Sequence, residues 1–165
     1  MIGLDLLNCH ALFGGLGEEE LKVVRTYLKP EHFGPGEVII AEGESGGKLY
    51  FLLSGSVEIL KNVKLEGPEG NEVKMERIAT LKEGDAFGEM ELIDIQPRAA
   101  TVKTLEDTST VALSNMDLYK IMHWNLKTYT IIVLNLAREI SRRLRKMDDL
   151  FASTLFSRHS MEQAK

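Results

Sequence analysis

Residues 87–102 read Phe87-Gly88-Glu89-Met90-Glu91-Leu92-Ile93-Asp94-Ile95-Gln96-Pro97-Arg98-Ala99-Ala100-Thr101-Val102 and join two strand-like runs through a short acidic helix. Gly88 lies where a turn becomes that helix, so the backbone can approach a ligand closely. The first amide groups of the helix, from Glu89 to Ile93, are unpaired and weakly positive. Pro97 ends the helix, and Arg98 opens a β-branched segment that can hold its guanidinium for a bidentate phosphate contact. The segment therefore predicts a compact anion-binding loop.

This segment also carries a family resemblance. The run Phe87-Gly88-Glu89, followed by Pro97-Arg98-Ala99-Ala100-Thr101-Val102, resembles the phosphate-binding cassette of cyclic nucleotide-binding domains. That module occurs in protein kinase A regulatory subunits, the bacterial catabolite activator protein and cyclic-nucleotide-gated channels. The glycine-containing turns upstream and the long helix downstream extend the resemblance over nearly the whole chain.

The resemblance implies a set of ligand contacts. Arg98 is expected to pair with the cyclic phosphate, Glu89 to bond the ribose 2′-hydroxyl, and Gly88 to supply backbone contacts. Ala99, in place of a hydroxyl residue, resembles the pattern that prefers cyclic AMP. An alignment through Arg142-Arg143-Leu144 places two further residues near the base. The expected ligand-binding residues are Gly88, Glu89, Met90, Glu91, Arg98, Ala99, Met147 and Asp148.

Glu91 departs from the family pattern, which has a small residue there, and it leaves two alternatives open. A glutamate at this helical position is favoured by the helix dipole, by about 0.3 to 1 kcal/mol. Its side chain could occupy the anion site and pair with Arg98, so that the pocket would bind cyclic nucleotide weakly or not at all. Alternatively, the side chain points to solvent and binding survives. The acidic run Glu83, Asp85, Glu89, Glu91 and Asp94 adds a field that repels an anion.

Composition indicates one ordinary globular domain spanning residues 1–165. The net charge of −5 argues against a general nucleic-acid or anionic-membrane surface. Cys9 is alone, which excludes a disulfide framework and suits a reduced, cytoplasmic thiol. We find no apolar run of membrane-spanning length and no secretion signal. The four histidines are not spaced like metal ligands, so no metal is expected. The sequence contains no arrangement typical of a catalytic nucleophile and no P-loop, so we do not expect an enzyme.

Periodicity predicts three parts, which together give an α+β fold. Residues 1–32 are predicted as N-terminal helices, one over Leu4 to Phe13 and one from Gly17 to the stop at Pro30. Residues 33–113 show short strands between glycine turns, and the resemblance selects an antiparallel jelly-roll β-roll. Residues 114–165 are helical, beginning with a short helix capped by Ser114 or Asn115.

The last helix carries an apolar stripe longer than one small roll can cover, formed by Tyr129, Val133, Leu136, Ile140, Leu144, Met147 and Phe151. The resemblance makes this the C-helix, and pairing with a second copy would bury the stripe in a homodimer. The alternative is a helix packed only on its own roll. Its basic face (Arg138, Arg142, Arg143, Arg145 and Lys146) is interpreted as a solvated flank with acidic partners, in preference to a DNA-binding surface.

Three functional hypotheses follow, of which the third is a truncated regulator that touches DNA through the basic face of the last helix. The first is a stand-alone cyclic-nucleotide sensor of bacterial type, preferring cyclic AMP, that acts through C-helix movement on an effector protein. The second is a ligand-independent dimeric interaction scaffold in which Glu91 fills the phosphate pocket. The end of the chain near Lys165 is expected to leave no room for a helix-turn-helix domain, so the output would rest on this module or a separate partner.

Overall fold

The computed structural model describes residues 10–67, 70–90 and 96–163. Its helical elements are a 3-10 helix (Ala11–Phe13), α1 (Glu18–Tyr27), α2 (Asn115–Trp124) and α3 (Leu126–Gln163). The strands are β1 (Lys29–Phe33), β2 (Val38–Ile40), β3 (Lys48–Ser54), β4 (Ser56–Gly67), β5 (Gly70–Lys82), β6 (Ala86–Phe87), β7 (Thr101–Thr104) and β8 (Thr108–Ser114).

The strands form two four-stranded antiparallel sheets. The first has the order β1-β8-β3-β6 and the second the order β2-β7-β4-β5. β4 and β5 form a long hairpin in the second sheet, with a register shift at Ile59/Leu60. The predicted antiparallel β-roll with N-terminal helical elements and a long C-terminal helix is confirmed.

The central strands of the first sheet, β3 and β8, are buried on both faces, because they send alternate side chains into two cores. Leu49 and Phe51 belong to a cluster that the helical elements cover, whereas Tyr50 and Leu52 belong to the cluster inside the roll. Successive residues of a strand point to opposite faces. The uninterrupted apolar run of β3 is therefore what a strand between two cores requires.

The roll begins earlier than predicted. Residues Lys29–Phe33 form β1, which pairs with β8, although the sequence placed the roll boundary at residue 33. Pro30 ends α1 as predicted, but it also occupies an edge strand, where a missing N–H costs no ladder bond to a second neighbour. Of the first predicted helix, residues Ala11–Phe13 form a 3-10 turn and residues 4–9 lie outside the described part of the chain.

The C-terminal helices start as the sequence indicated. Ser114 caps α2 by accepting a hydrogen bond from the amide of Asp117 at 3.1 Å. Ile132 and Leu136 anchor α3 in the core. The buried amide of Asn135 donates to the carbonyl oxygens of Leu12 at 2.9 Å and Gly14 at 2.8 Å. These bonds fix α3 to the N-terminal segment.

His10 is enclosed at the start of that segment. Its ring lies edge-on to Phe51, with centroids 4.9 Å apart, and its Nδ1 accepts from the amide of Leu12 at 3.3 Å. Nε2 is buried without a hydrogen-bond partner among the described residues. Burial lowers the pKa of His10, and the weaker influence of the Glu139 and Asp85 carboxylates opposes the shift.

We expect His10 to make stability depend on pH. In the unfolded chain, His10 has a pKa near 6.5 and becomes protonated as the pH falls. In the folded chain, burial opposes that protonation. This contribution to stability is present above that pKa and is lost as the pH falls through it towards the lower folded-state pKa. Urea unfolding between about pH 5 and 7.5 should show a steeper acid loss for the wild type than for His10→Gln. Parallel pH profiles would contradict the assignment.

Candidate functional site

A cavity of about 480 Å³ lies between the second sheet, the cassette and α3. Its apolar walls come from five strands of the roll and from the C-terminal helix, through Ile40, Ile59, Leu81, Phe87, Val102 and Met147. Tyr50 stacks on Phe87, with centroids 5.1 Å apart and planes 11° from parallel, which fixes the strand that leads into the cassette. A concave, largely apolar site with a few convergent polar groups suits a small ligand.

Arg98 is buried at one wall of this cavity, with 8% of its surface exposed. Its Nη1 donates to the carbonyl oxygen of Gly88 at 3.0 Å and its Nη2 to that of Lys48 at 2.9 Å. Its own amide donates to the carbonyl oxygen of Glu44 at 2.8 Å, and its carbonyl accepts from Gly43 at 2.9 Å. Main chain and side chain are thus held by three separate segments.

Gly88 makes this arrangement possible. Its φ of +82° lies in the left-handed region. A Cβ there would come within 2.7 Å of the Lys48 carbonyl oxygen and 2.8 Å of Arg98 Nη1. The glycine is therefore required both for the backbone angle and for the close approach of the guanidinium.

Glu89 points into the same cavity and is 8% exposed. Its Oε1 accepts from Nη1 of Arg143 at 2.7 Å, and Nη2 of Arg143 donates to the carbonyl oxygen of Ala86. Nε of Arg143 faces Oε1 of Glu139 at 3.4 Å. One guanidinium from α3 therefore connects the cassette to the helix.

The charges lining the cavity are balanced among the described residues. Three cations, Arg98, Arg143 and Lys146, face three carboxylates, Asp85, Glu89 and Glu139. Of the acidic residues expected to repel an anion, Asp85 and Glu89 line the cavity, and α3 brings Arg143 and Lys146 to the same cavity. In a partly enclosed site, such charges are less screened than on an open surface.

The structure brings together six of the expected ligand-binding residues. Gly88, Glu89, Met90, Arg98, Ala99 and Met147 all line the cavity. Asp148 is exposed and is not among the lining residues, because it follows Met147 on the next position around the helix. Glu91 lies outside the described residues, so neither alternative for its side chain is tested by the geometry.

Sequence reasoning missed three charged lining residues of α3, namely Glu139, Arg143 and Lys146. The sequence interpretation places Arg143 and Lys146 on a solvated helix flank, with Glu139 as an acidic partner. The spacing of Glu139 and Arg143 by four positions was a usable signal, because such residues share one helix face. That this face meets the cassette depends on how α3 packs, which local patterns do not show.

The described segments contain neither a candidate metal centre nor a candidate membrane-spanning helix. No group of three or more His, Cys, Asp or Glu side chains there is placed to hold a metal ion. In the same segments, no helix combines the length and apolar character needed to cross a membrane.

Comparison with known proteins gives a consistent result. Residues 30–125 match the family model described as cyclic nucleotide-binding domain. The chain is 32% identical over 137 residues to the cyclic AMP receptor protein of Thermus thermophilus, covering 83% of this chain and 58% of that protein. The chain therefore spans about three-fifths of that relative's length.

Solved structures show the same similarity. A cyclic nucleotide-binding domain from Methylobacillus flagellatus superposes with a TM-score of 0.76 at 26% identity, covering 88% of this chain and 78% of that one. The regulatory domain of Toxoplasma gondii PKA, co-crystallised with cAMP, superposes with a TM-score of 0.59 at 27% identity, covering 72% and 42% of the two chains.

Proposed function

The chain belongs to the family of cyclic nucleotide-binding domains, and on that premise we propose that it senses a cyclic nucleotide, preferring cyclic AMP. The observation that carries the proposal is the placement of Arg98 and Glu89 on one cavity that α3 closes. A cyclic phosphate is a monoanion that a guanidinium recognises well. A ribose hydroxyl is a donor that a carboxylate accepts. The two side chains thus suit adjacent parts of one ligand.

The remaining contacts follow from the same cavity. Gly88 and the cassette backbone approach the phosphate, Ala99 leaves space beside Arg98, and Met147 offers an apolar surface to the base. The proposed ligand requires no metal ion and no bond-breaking step, so the activity is binding and not catalysis. We place the protein in the cytoplasm, where its single Cys9 would stay reduced.

Signal output is proposed to run through α3. Arg143 bonds to Glu89 and to the Ala86 carbonyl oxygen, so a ligand that rearranges Glu89 also acts on the helix. A ligand shifts a conformational equilibrium only by its difference in affinity for the two states. Contacts made jointly by the cassette and α3 supply such a difference. The shifted helix would then change a surface that an effector protein reads.

α3 also supports a homodimer. The helix has 38 residues, which is about 57 Å at the usual rise. Beyond the residues that pack on the roll, Leu144, Met147, Leu150 and Phe151 are each 58% to 66% exposed. Leu144, Met147 and Phe151 follow the three- and four-residue spacing of a helix-pairing seam. A second copy of α3 would cover this stripe.

Replacement of Arg98 tests the ligand assignment. Arg98→Ala should weaken cyclic AMP binding by about 10-fold or more, because charge-assisted hydrogen bonds are lost. Arg98→Lys should recover only part of the affinity, since it keeps the charge but not the fork geometry. Isothermal titration calorimetry of nucleotide-free protein measures this, with exposed Arg145→Ala as the matched control. Equal affinity in wild type and Arg98→Ala would refute the role.

Replacement of Glu91 tests the scaffold alternative. If the Glu91 carboxylate fills the anion site, the wild type should show no calorimetric signal with cyclic AMP or cyclic GMP, and Glu91→Ala should gain binding. If wild type and variant bind equally, the scaffold interpretation loses its basis. Glu44→Ala, in the loop beside Arg98, is the control for removing one carboxylate near the cassette.

The homodimer is tested by polar substitutions in the stripe. Leu144→Ser combined with Phe151→Ser should shift the protein from dimer to monomer in sedimentation-velocity experiments, because the apolar area buried between two helices is lost. Arg145→Ser combined with Asp149→Ser changes exposed residues of the same helix segment outside the stripe and should leave the dimer intact. If the wild-type protein is a monomer, the homodimer proposal is wrong.

A further inference from the structure

Arg143 is shared between two carboxylates that lie on either side of it. Its Nη1 bonds to Glu89 at 2.7 Å, while its Nε faces Glu139 at 3.4 Å. Its third donor position, Nη2, is taken by the carbonyl oxygen of Ala86. The guanidinium is therefore held on all three of its nitrogen atoms, and Glu139 is the only one of these partners that belongs to α3 itself.

These three charged side chains also separate two spaces. Glu89, Arg143 and Glu139 line both the 480 Å³ cavity and a second cavity of about 40 Å³ behind it. His10 and Leu136 also line the smaller cavity. The side chains of Arg143 and Glu139 are only 27% and 29% exposed, so the pair is unlike a fully solvated helix ion pair.

The geometry leaves one oxygen of Glu89 for a ligand. Oε1 is occupied by Arg143, whereas no described residue donates a hydrogen bond to Oε2. The direction in which Oε2 points depends on where Arg143 holds the carboxylate. Arg143 in turn loses one of its three anchors if Glu139 is removed.

We propose that Glu139 is a positioning residue that acts through Arg143 to aim Glu89 at the ligand's 2′-hydroxyl. Glu139 thereby sets how strongly the site distinguishes a ribose from a 2′-deoxyribose cyclic nucleotide. This inference rests on the proposed function. It assigns Glu139 an effect on selectivity, whereas an ordinary structural ion pair on a helix would affect stability alone.

Glu139 has an outer partner that provides a matched control. Arg142, whose side chain is 53% exposed, lies 3.1 Å from Oε2 of Glu139 through its Nη1. Arg142→Ala removes an ion pair of the same carboxylate but leaves the contact with Arg143. It should lower stability slightly and leave ligand selectivity unchanged.

The experiment compares dissociation constants of cyclic AMP and its 2′-deoxy analogue in one calorimetric series. Wild type should prefer cyclic AMP by about 10-fold or more, as expected for a hydroxyl donating to a carboxylate. Glu139→Ala should reduce that ratio several-fold. Glu139→Gln should restore most of it, because the amide oxygen can still accept from Nε of Arg143. Both dissociation constants in each ratio are measured on the same protein. A loss of folding stability in a variant therefore affects both constants equally and does not change their ratio.

A measurement without ligand accompanies the series. The Arg143 Nε–H resonance of the nucleotide-free protein should move in Glu139→Gln and stay in place in Arg142→Ala. Wild type that binds neither nucleotide overturns the proposed function and this inference with it. Wild type that binds both nucleotides equally, or a Glu139→Ala variant that keeps the wild-type ratio, overturns this inference alone.

Discussion

The site depends on a buried guanidinium held by main-chain oxygens. Removing a charge from water is costly unless hydrogen bonds replace the lost hydration. Arg98 meets this requirement through the carbonyl oxygens of Gly88 and Lys48. Because both acceptors are backbone atoms of neighbouring strands and turns, the roll must form before the cation has its place. The absence of a Cβ at Gly88 is the steric condition for that arrangement.

α3 connects this site to the surface, since one helix meets three environments in succession. Ile132 and Leu136 pack in the core, Glu139 and Arg143 line the cavity, and Leu144 begins an exposed apolar segment. In the proposed mechanism, a change at the cavity would pass along α3 to the exposed segment, because a helix is stiff along its axis. Under that proposal, sensing and output would share one element of the domain.

The sequence allowed good prediction wherever the determinants are local. Gly88 and Arg98 lie ten positions apart in the sequence, and Ser114 caps α2 within a single turn. The link between Arg143 and Glu89 spans 54 positions and follows from the packing of α3 on the roll. Pro30 was taken as a helix stop, yet its place in β1 is decided by pairing with β8. Long-range strand pairing and helix orientation are tertiary effects, and the periodicity of apolar residues does not predict them.

The same distinction applies to the acidity of the cassette. In the sequence of the cassette, several carboxylates accompany a single arginine, and their combined field would repel an anion. Counted in space, Arg143 and Lys146 join Arg98 at the cavity, and Glu89 already bonds to one of these cations. The field that a ligand meets is a property of the enclosed surface, where nearby charges are weakly screened. An anion site can therefore lie within an acidic segment when a distant helix supplies the compensating charge.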